Sequence, residues 1–231
     1  MSKKFLQMAI LFFTIFILHQ AMFGQFQNLQ FGIKGGLNLA NTDEDAASME
    51  IVPGADFEKN IYPAYNIGAF VEYPLSQKFS LQLSALYNVK GVKFQGVQVE
   101  DFVGLIDYFI TEKLEYLSLP LLAKFNLGGA QAKPYVFLGP ETSYLLSADV
   151  NITADAMVMS GVEVDTTMKV TDDLESLEFG LNAGLGIEFP VSSFNAFFEA
   201  SYGFGLTNVN NLEGAEDFKN RLIYLNAGIK F

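Results

Sequence analysis

The stretch Arg221–Phe231, RLIYLNAGIKF, decides the fold. Ile223, Leu225, Ala227, Ile229 and Phe231 alternate with Leu222, Tyr224, Asn226, Gly228 and Lys230. A period of two is that of a β-strand, and one face of this strand is wholly apolar up to its last residue, Phe231. A soluble sheet avoids such an edge, because unpaired apolar strands invite association. In a closed barrel the last strand pairs with the first and turns its outer face to lipid.

Seven upstream segments repeat the pattern, near 29–40, 64–75, 79–92, 114–127, 134–147, 176–189 and 195–207. In the first, Phe31, Ile33, Gly35, Leu37 and Leu39 oppose Gly32, Lys34, Gly36 and Asn38. In the sixth, Leu177, Phe179, Leu181, Ala183, Leu185, Ile187 and Phe189 oppose Glu178, Gly180, Asn182, Gly184, Gly186 and Glu188. Throughout, the apolar parity carries no charge. The opposite parity carries Lys34, Glu72, Lys90, Lys124, Glu141, Glu178, Glu188, Glu199 and Lys230. Pro120 interrupts the fourth segment and predicts a bulge there, since proline removes a ladder donor.

The connections alternate long and short. Segments 41–63, 93–112, 149–173 and 208–219 are long and mostly acidic, whereas the connections between are tight turns. The long 93–112 connection is apolar in part and reads either as a short helix or as a hairpin continuing beyond the membrane. Segment 149–173 also reads as a continuation of its two flanking strands. An even strand count with alternating loop lengths predicts an all-β, eight-stranded antiparallel up-and-down transmembrane β-barrel. Its short turns and both termini would be periplasmic, and its long loops outside. The rival is a soluble eight-stranded barrel with its apolar face inward around a ligand. Phe and Tyr near the strand ends (Tyr65, Tyr73, Phe79, Tyr87, Phe125, Tyr144, Phe189, Tyr202 and Phe231) favour the membrane form, because they match two interfacial girdles.

Lys3 and Lys4, the apolar run Met8–Leu18 and the small residues Ala21 and Gly24 form the three parts of a secretory signal. The run is shorter than the roughly 20 residues of a spanning helix. The expected organisation is a cleaved signal peptide, 1–24, followed by a barrel domain, 25–231. Cleavage removes His19, the only histidine, from a chain that has no cysteine. A Ser–His–Asp triad and His/Cys metal sites then have no residues to use. The expectation is a non-enzymatic protein with no catalytic residue, cofactor or metal. A formal charge of −12 argues against nucleic acid as a partner. Asp43, Glu44 and Asp45, or Asp172 and Asp173, supply oxygen ligands for calcium only loosely, in no EF-hand spacing, and read as a solvated acidic surface.

Eight strands leave an interior that side chains fill. Charges inside must pair, because a lone buried charge is expensive. The expectation is a structural network of Lys34, Lys90, Lys124 and Lys230 with Glu72, Glu141, Glu188 and Glu199. A narrow, gated ion path is the alternative use of the same residues.

The segments FGIKGGLNLAN (31–41), YLSLPLLAKF (116–125), PYVFLGPETSYLLSA (134–148), FGLNAGLGIEF (179–189), FFEASYGFGLTNV (197–209) and RLIYLNAGIKF (221–231) resemble the PorT-like small outer-membrane barrels of Bacteroidota. The resemblance spans nearly the whole chain after the signal. It implies a bacterial outer-membrane location, insertion by the barrel assembly machinery with Phe231 as the assembly signal, and no shared catalytic residue. Two roles fit: a structural or binding barrel that meets an extracellular ligand through its acidic loops, or an accessory subunit of an envelope secretion or gliding assembly docking through 102–110.

Overall fold

The computed structural model describes residues 29–43, 56–100, 104–129, 131–156, 163–211 and 218–231. The signal segment, Glu44, Asp45, Phe102 and Val103 lie outside the described residues. The described residues form ten strands: β1 (Gln30–Thr42), β2 (Asp56–Asn60), β3 (Tyr62–Pro74), β4 (Phe79–Glu100), β5 (Gly104–Asn126), β6 (Lys133–Ala156), β7 (Glu163–Lys169), β8 (Leu177–Val191), β9 (Phe194–Gly205) and β10 (Asn220–Lys230).

Eight of them close into an antiparallel ring in the order β1, β3, β4, β5, β6, β8, β9, β10 and back to β1. The seam joins β10 to β1 from Lys230↔Gly32 to Asn220↔Thr42. It is extended by Phe231 N donating to the Phe31 carbonyl at 2.8 Å and by the reciprocal bond at 3.2 Å. Closure pairs the last strand with the first, so the ring has no open edge.

The apolar parity faces outward. Phe31, Ile33, Leu37, Ile67, Leu83, Leu121, Leu138, Leu185, Phe198 and Leu225 are all exposed. An exterior belt of this size is untenable in water and natural in lipid. The soluble-barrel reading is thereby overturned. Paired rings frame the belt: Phe79 against Phe125 (4.7 Å) and Phe194 against Phe231 (6.2 Å) at the short-turn end, and Tyr65 against Tyr87 (6.0 Å) at the long-loop end.

Beyond the belt, at the long-loop end, the wall continues and its rule reverses. Val92, Phe94 and Ile110 are buried inside, with Phe57, Val150 and Ile152 packed on them. Leu114, Tyr116, Leu145, Ala148, Val209 and Phe218 form a second buried cluster, capped by Val170 and Leu174. At this level the outward positions are Lys93, Gln95, Thr111, Lys113 and Glu115. Gly91 sits at the changeover with φ +146°, in the range glycine favours, and a Cβ there would meet the Glu112 carbonyl at 2.0 Å.

The two loop strands build this upper part. β2 pairs with the end of β4, and β7 pairs with the end of β6, so β2–β4–β5–β6–β7 form one continuous sheet. The 93–112 connection is therefore a hairpin extension and not a helix. β6 does continue through Ala156, but its partner there is the separate strand β7; a 3-10 turn, Thr171–Asp173, stands between β7 and β8. The expected bulge at Pro120 is absent among the described residues. Leu83↔Leu121 and Leu86↔Ser118 keep one register on either side of it, and the ladder lapses only locally. The register shift falls instead between Glu115 and Tyr116, opposite Leu145 and Ser147, with Leu146 the extra residue of β6. This bulge moves the inward parity of β6 from odd to even numbers, so Ala148, Val150 and Ile152 face inward after Leu145. In the 79–92 segment Val89 shares the apolar parity of Phe79, Leu81, Leu83 and Tyr87, which predicts an outward side chain; it is instead 1% exposed, at the level where the exterior stops being apolar.

Candidate functional site

The lumen holds the charged side chains. β-strand alternation places them: each barrel strand contributes at least one charge on its inward parity. Lys34, Glu72, Lys90, Lys124, Glu141, Glu188, Glu199 and Lys230 are all buried, and every one is in an ion pair. They fall into two groups.

The first lies toward the short-turn end. Lys34 Nζ meets Glu199 at 3.1 Å. Lys124 bridges Glu72 (3.2 Å) and Glu199 (3.7 Å), and Lys230 bridges Glu72 (3.3 Å) and Glu188 (2.6 Å). Ser80 and Gln82 bond Glu72 and Lys124, and the Tyr135 hydroxyl donates to Glu199 at 2.9 Å. Lys124 also stands 4.1 Å from the Tyr135 ring centroid, a cation–π contact in a desolvated setting. Phe70 packs edge-on to Phe197 beside this group at 5.6 Å. Inner glycines leave the room: a Cβ on Gly186 would overlap the Tyr135 ring, and one on Gly228 the Phe197 ring.

A belt of amides follows. Asn66 Nδ2 donates to both Asn38 (2.7 Å) and Asn226 (2.8 Å), Asn38 donates to Asn88 (2.8 Å), and Asn88 to Ser118 (3.0 Å). Above it lies the second charged group. Lys90 meets Glu178 at 3.1 Å and Glu141 at 3.3 Å, and Ser143 and Asn182 donate to Glu141. Glu178 was not among the residues assigned to the network, although its parity with Asn182 and Glu188 places it there. Asn38, Asn182, Tyr224 and Asn226 share the inward parity in the sequence, but uncharged inward residues carry no pattern that assigns them to the network.

The apolar clusters close the lumen at the long-loop end. Two hollows among the described residues, about 720 and 710 Å³, lie on the exterior, where Gly35 and Ala227 stand between larger side chains; Glu199 is among the residues that line one and Lys34 among those that line the other. Among the described residues no three His, Cys, Asp or Glu side chains gather as a metal-binding group. Asp43 pairs with Arg221 at 2.6 Å, and Asp172 and Asp173 lie exposed in the 3-10 turn. Phe231 is exposed at the rim, 64% accessible, with its backbone bonded to Phe31.

A closed eight-stranded ring with an apolar belt and a paired, filled interior is the architecture of a small outer-membrane barrel. The family model described as outer membrane protein beta-barrel domain matches residues 23–211. The chain belongs to this family. It is therefore a bacterial outer-membrane protein, and its belt contacts the lipid bilayer. Among solved structures, Neisserial surface protein A is similar at 13% identity, covering 87% of this chain and 95% of that one, with a TM-score of 0.44. Ail, the attachment invasion locus protein of Yersinia pestis, is similar at 14% identity over 88% and 99%, with a TM-score of 0.37. Outer membrane protein W of Escherichia coli is similar at 14% identity over 87% and 97%, with a TM-score of 0.40. No curated protein matches the sequence.

Proposed function

We propose that this barrel is a non-enzymatic display protein, which anchors a folded β-sheet outside the cell to bind an external ligand or surface. The observation that carries this is the sheet β2–β4–β5–β6–β7, which continues the barrel wall past the belt with its own apolar core and a polar exterior. A barrel needed only as a membrane plug gains nothing from 22- to 24-residue strands such as β4, β5 and β6. In this reading the short turns and both termini are periplasmic, residues 1–24 are a cleaved signal, and the barrel assembly machinery reads Phe231. The paired lumen is structural, which agrees with its apolar closure.

Replacing 93–112 and 150–168 by short turns tests the proposal. The shortened barrel is expected to keep heat-modifiable migration and lose adhesion of cells to the external surface. Full retention of the whole-cell phenotype by that variant would overturn it. The accessory-subunit reading rests on the PorT-like resemblance; it is weakened at 102–110, where Ile110 is buried in the sheet core and Lys93 covers the Phe109 ring at 5.2 Å. A stoichiometric crosslinked envelope partner would favour it.

A further inference from the structure

The polar lumen opens at the short-turn end into a cavity of about 330 Å³. Its floor is the buried group Glu72, Glu188 and Lys230, and Gln30, Gln77, Asn126 and Lys133 stand around it with Gly128 and Gly129. Apart from Pro74, every side chain on its described walls is polar. The cavity is large enough for a small molecule, and its lining disfavours an apolar one. The lumen beside it is balanced, with Lys34, Lys124 and Lys230 facing Glu72, Glu188 and Glu199. The connections 75–78, 127–132 and 192–193 add Lys78, and β6 opens with Lys133, but none of these adds an acidic side chain. Even with the chain-end carboxylate at Phe231 counted, the mouth keeps one positive charge in excess, whereas the acidic residues of the chain gather in the long connections at the other end. A cleft with low-dielectric walls concentrates such a field and draws anions into it.

A second observation narrows the anion. Glu188, 7% exposed, meets a single cation, Lys230, through its Oε2 at 2.6 Å; its Oε1 has no partner among the described residues. Lys133 stands directly opposite Glu188 in the β6–β8 ladder and makes no ion pair among the described residues. The cavity thus offers two complementary groups side by side, an ammonium for a carboxylate and a carboxylate oxygen for an N–H. A bare inorganic anion would use the first and be repelled by the second. The last residue of a peptide carries both a carboxylate and an amide N–H, and uses both.

We propose that the short-turn mouth of the lumen binds the carboxylate end of a short peptide, with the carboxylate on Lys133 and the last amide N–H on Glu188. The test is an NMR titration of the full barrel in micelles with acetyl-Ala-Ala, once as the free acid and once as its carboxy-terminal amide. The acid is expected to give saturable shifts at Gly128, Gly129 and Lys133, and the amide to bind about tenfold more weakly. Lys133→Gln, at a half-exposed position outside the paired lumen, is expected to weaken the acid about tenfold, and Lys78→Gln, in the turn but off the cavity wall, to leave it nearly unchanged. Equal binding of acid and amide, the absence of saturable shifts at the mouth, or an equal loss in both lysine variants would overturn the proposal, the last because it would leave only a diffuse positive field. A periplasmic source for the peptide rests on the orientation proposed above, which the micelle titration does not use, so site and orientation fail separately. The peptide arrives either free or on the strands of the cell wall. Co-sedimentation of the barrel with isolated sacculi, lost in Lys133→Gln, identifies the wall; micelle binding without co-sedimentation identifies a free peptide.

Discussion

Strand β5 has two halves that obey opposite rules. From Leu117 to Lys124 the odd residues Leu117, Leu119 and Leu121 are exposed, while Ser118, Leu122 and Lys124 are buried. From Ile110 to Tyr116 the apolar side chains Ile110, Leu114 and Tyr116 are buried, and Thr111, Lys113 and Glu115 face out. The backbone alternation is unchanged between them; only the solvent on the outside differs. In lipid the outside must be apolar, and the inside holds what lipid would exclude. In water the ordinary hydrophobic effect returns and fills the inside with Val, Phe, Ile and Leu. The changeover near Tyr87 and Leu117 is therefore a physical mark of the membrane edge.

This contrast can be broken first from inside the belt. Lys124→Met leaves Glu72 and Glu199 short of a partner in a low-dielectric interior, and is expected to cost about 3–5 kcal/mol or to block folding altogether. Urea-gradient unfolding in detergent micelles would measure it, and a loss below 1 kcal/mol would mean that the lumen is wetter than its burial implies. The upper region breaks differently. Phe94→Ala is expected to remove about 3 kcal/mol from the sheet core around Val92 and Ile110, but only locally. Hydrogen exchange should quicken in 92–111 and stay slow in β1, β9 and β10; uniform quickening would show the two regions to be one cooperative unit. A third comparison uses one substitution at two heights: Leu185→Arg on the belt is expected to cost about 2 kcal/mol, and Gln95→Arg close to nothing. Similar losses at both would misplace the membrane edge.

The smallest effect concerns Lys113 and Glu115, which pair just beyond the belt. The hydrogen bond from Lys113 holds the Glu115 carboxyl below the usual carboxylate range, against the opposing pull of partial burial. Its contribution is present above the ordinary carboxylate range and is lost as pH falls through the depressed value. Lys113→Ala should therefore cost less than about 1 kcal/mol at neutral pH and nothing in acid. An NMR titration of Glu115 with an ordinary midpoint would contradict the pairing.

The barrel itself was legible because lipid enforces a strict alternation: RLIYLNAGIKF and its seven counterparts could not sit in any other register without burying charge in hydrocarbon. Lys34, Glu199 and Lys230 were legible as inward for the same reason. The upper sheet was obscured, because its parity reverses and, in β6, the extra residue Leu146 shifts the pattern by one. Alternation alone therefore leaves 93–112 open between a short helix and a hairpin extension, and does not separate β7 from the strands that flank 149–173. β2, with only five residues, and the exposed β7 have patterns too short or too polar to stand out. The partners within the lumen were not legible at all, since Lys34 and Glu199 meet across 165 residues and only strand order and shear decide which charges are neighbours.

The seam between β1 and β10 has a consequence in time. Lys34 of β1 reaches Glu199 of β9, and Lys230 of β10 reaches Glu72 of β3, so these ion pairs straddle the joint that closes last in any ordered zippering of neighbouring strands. Until it shuts, Lys34 has no partner and Glu72 and Lys230 each lack one of theirs, so a half-built wall would carry unbalanced charge into the bilayer. Partly closed forms are thus steep uphill states, and the slow, long-range contacts make closure a late event. The same lysines and glutamates that steady the finished molecule act beforehand as a latch, which favours insertion in a single committed step over a ladder of stable intermediates.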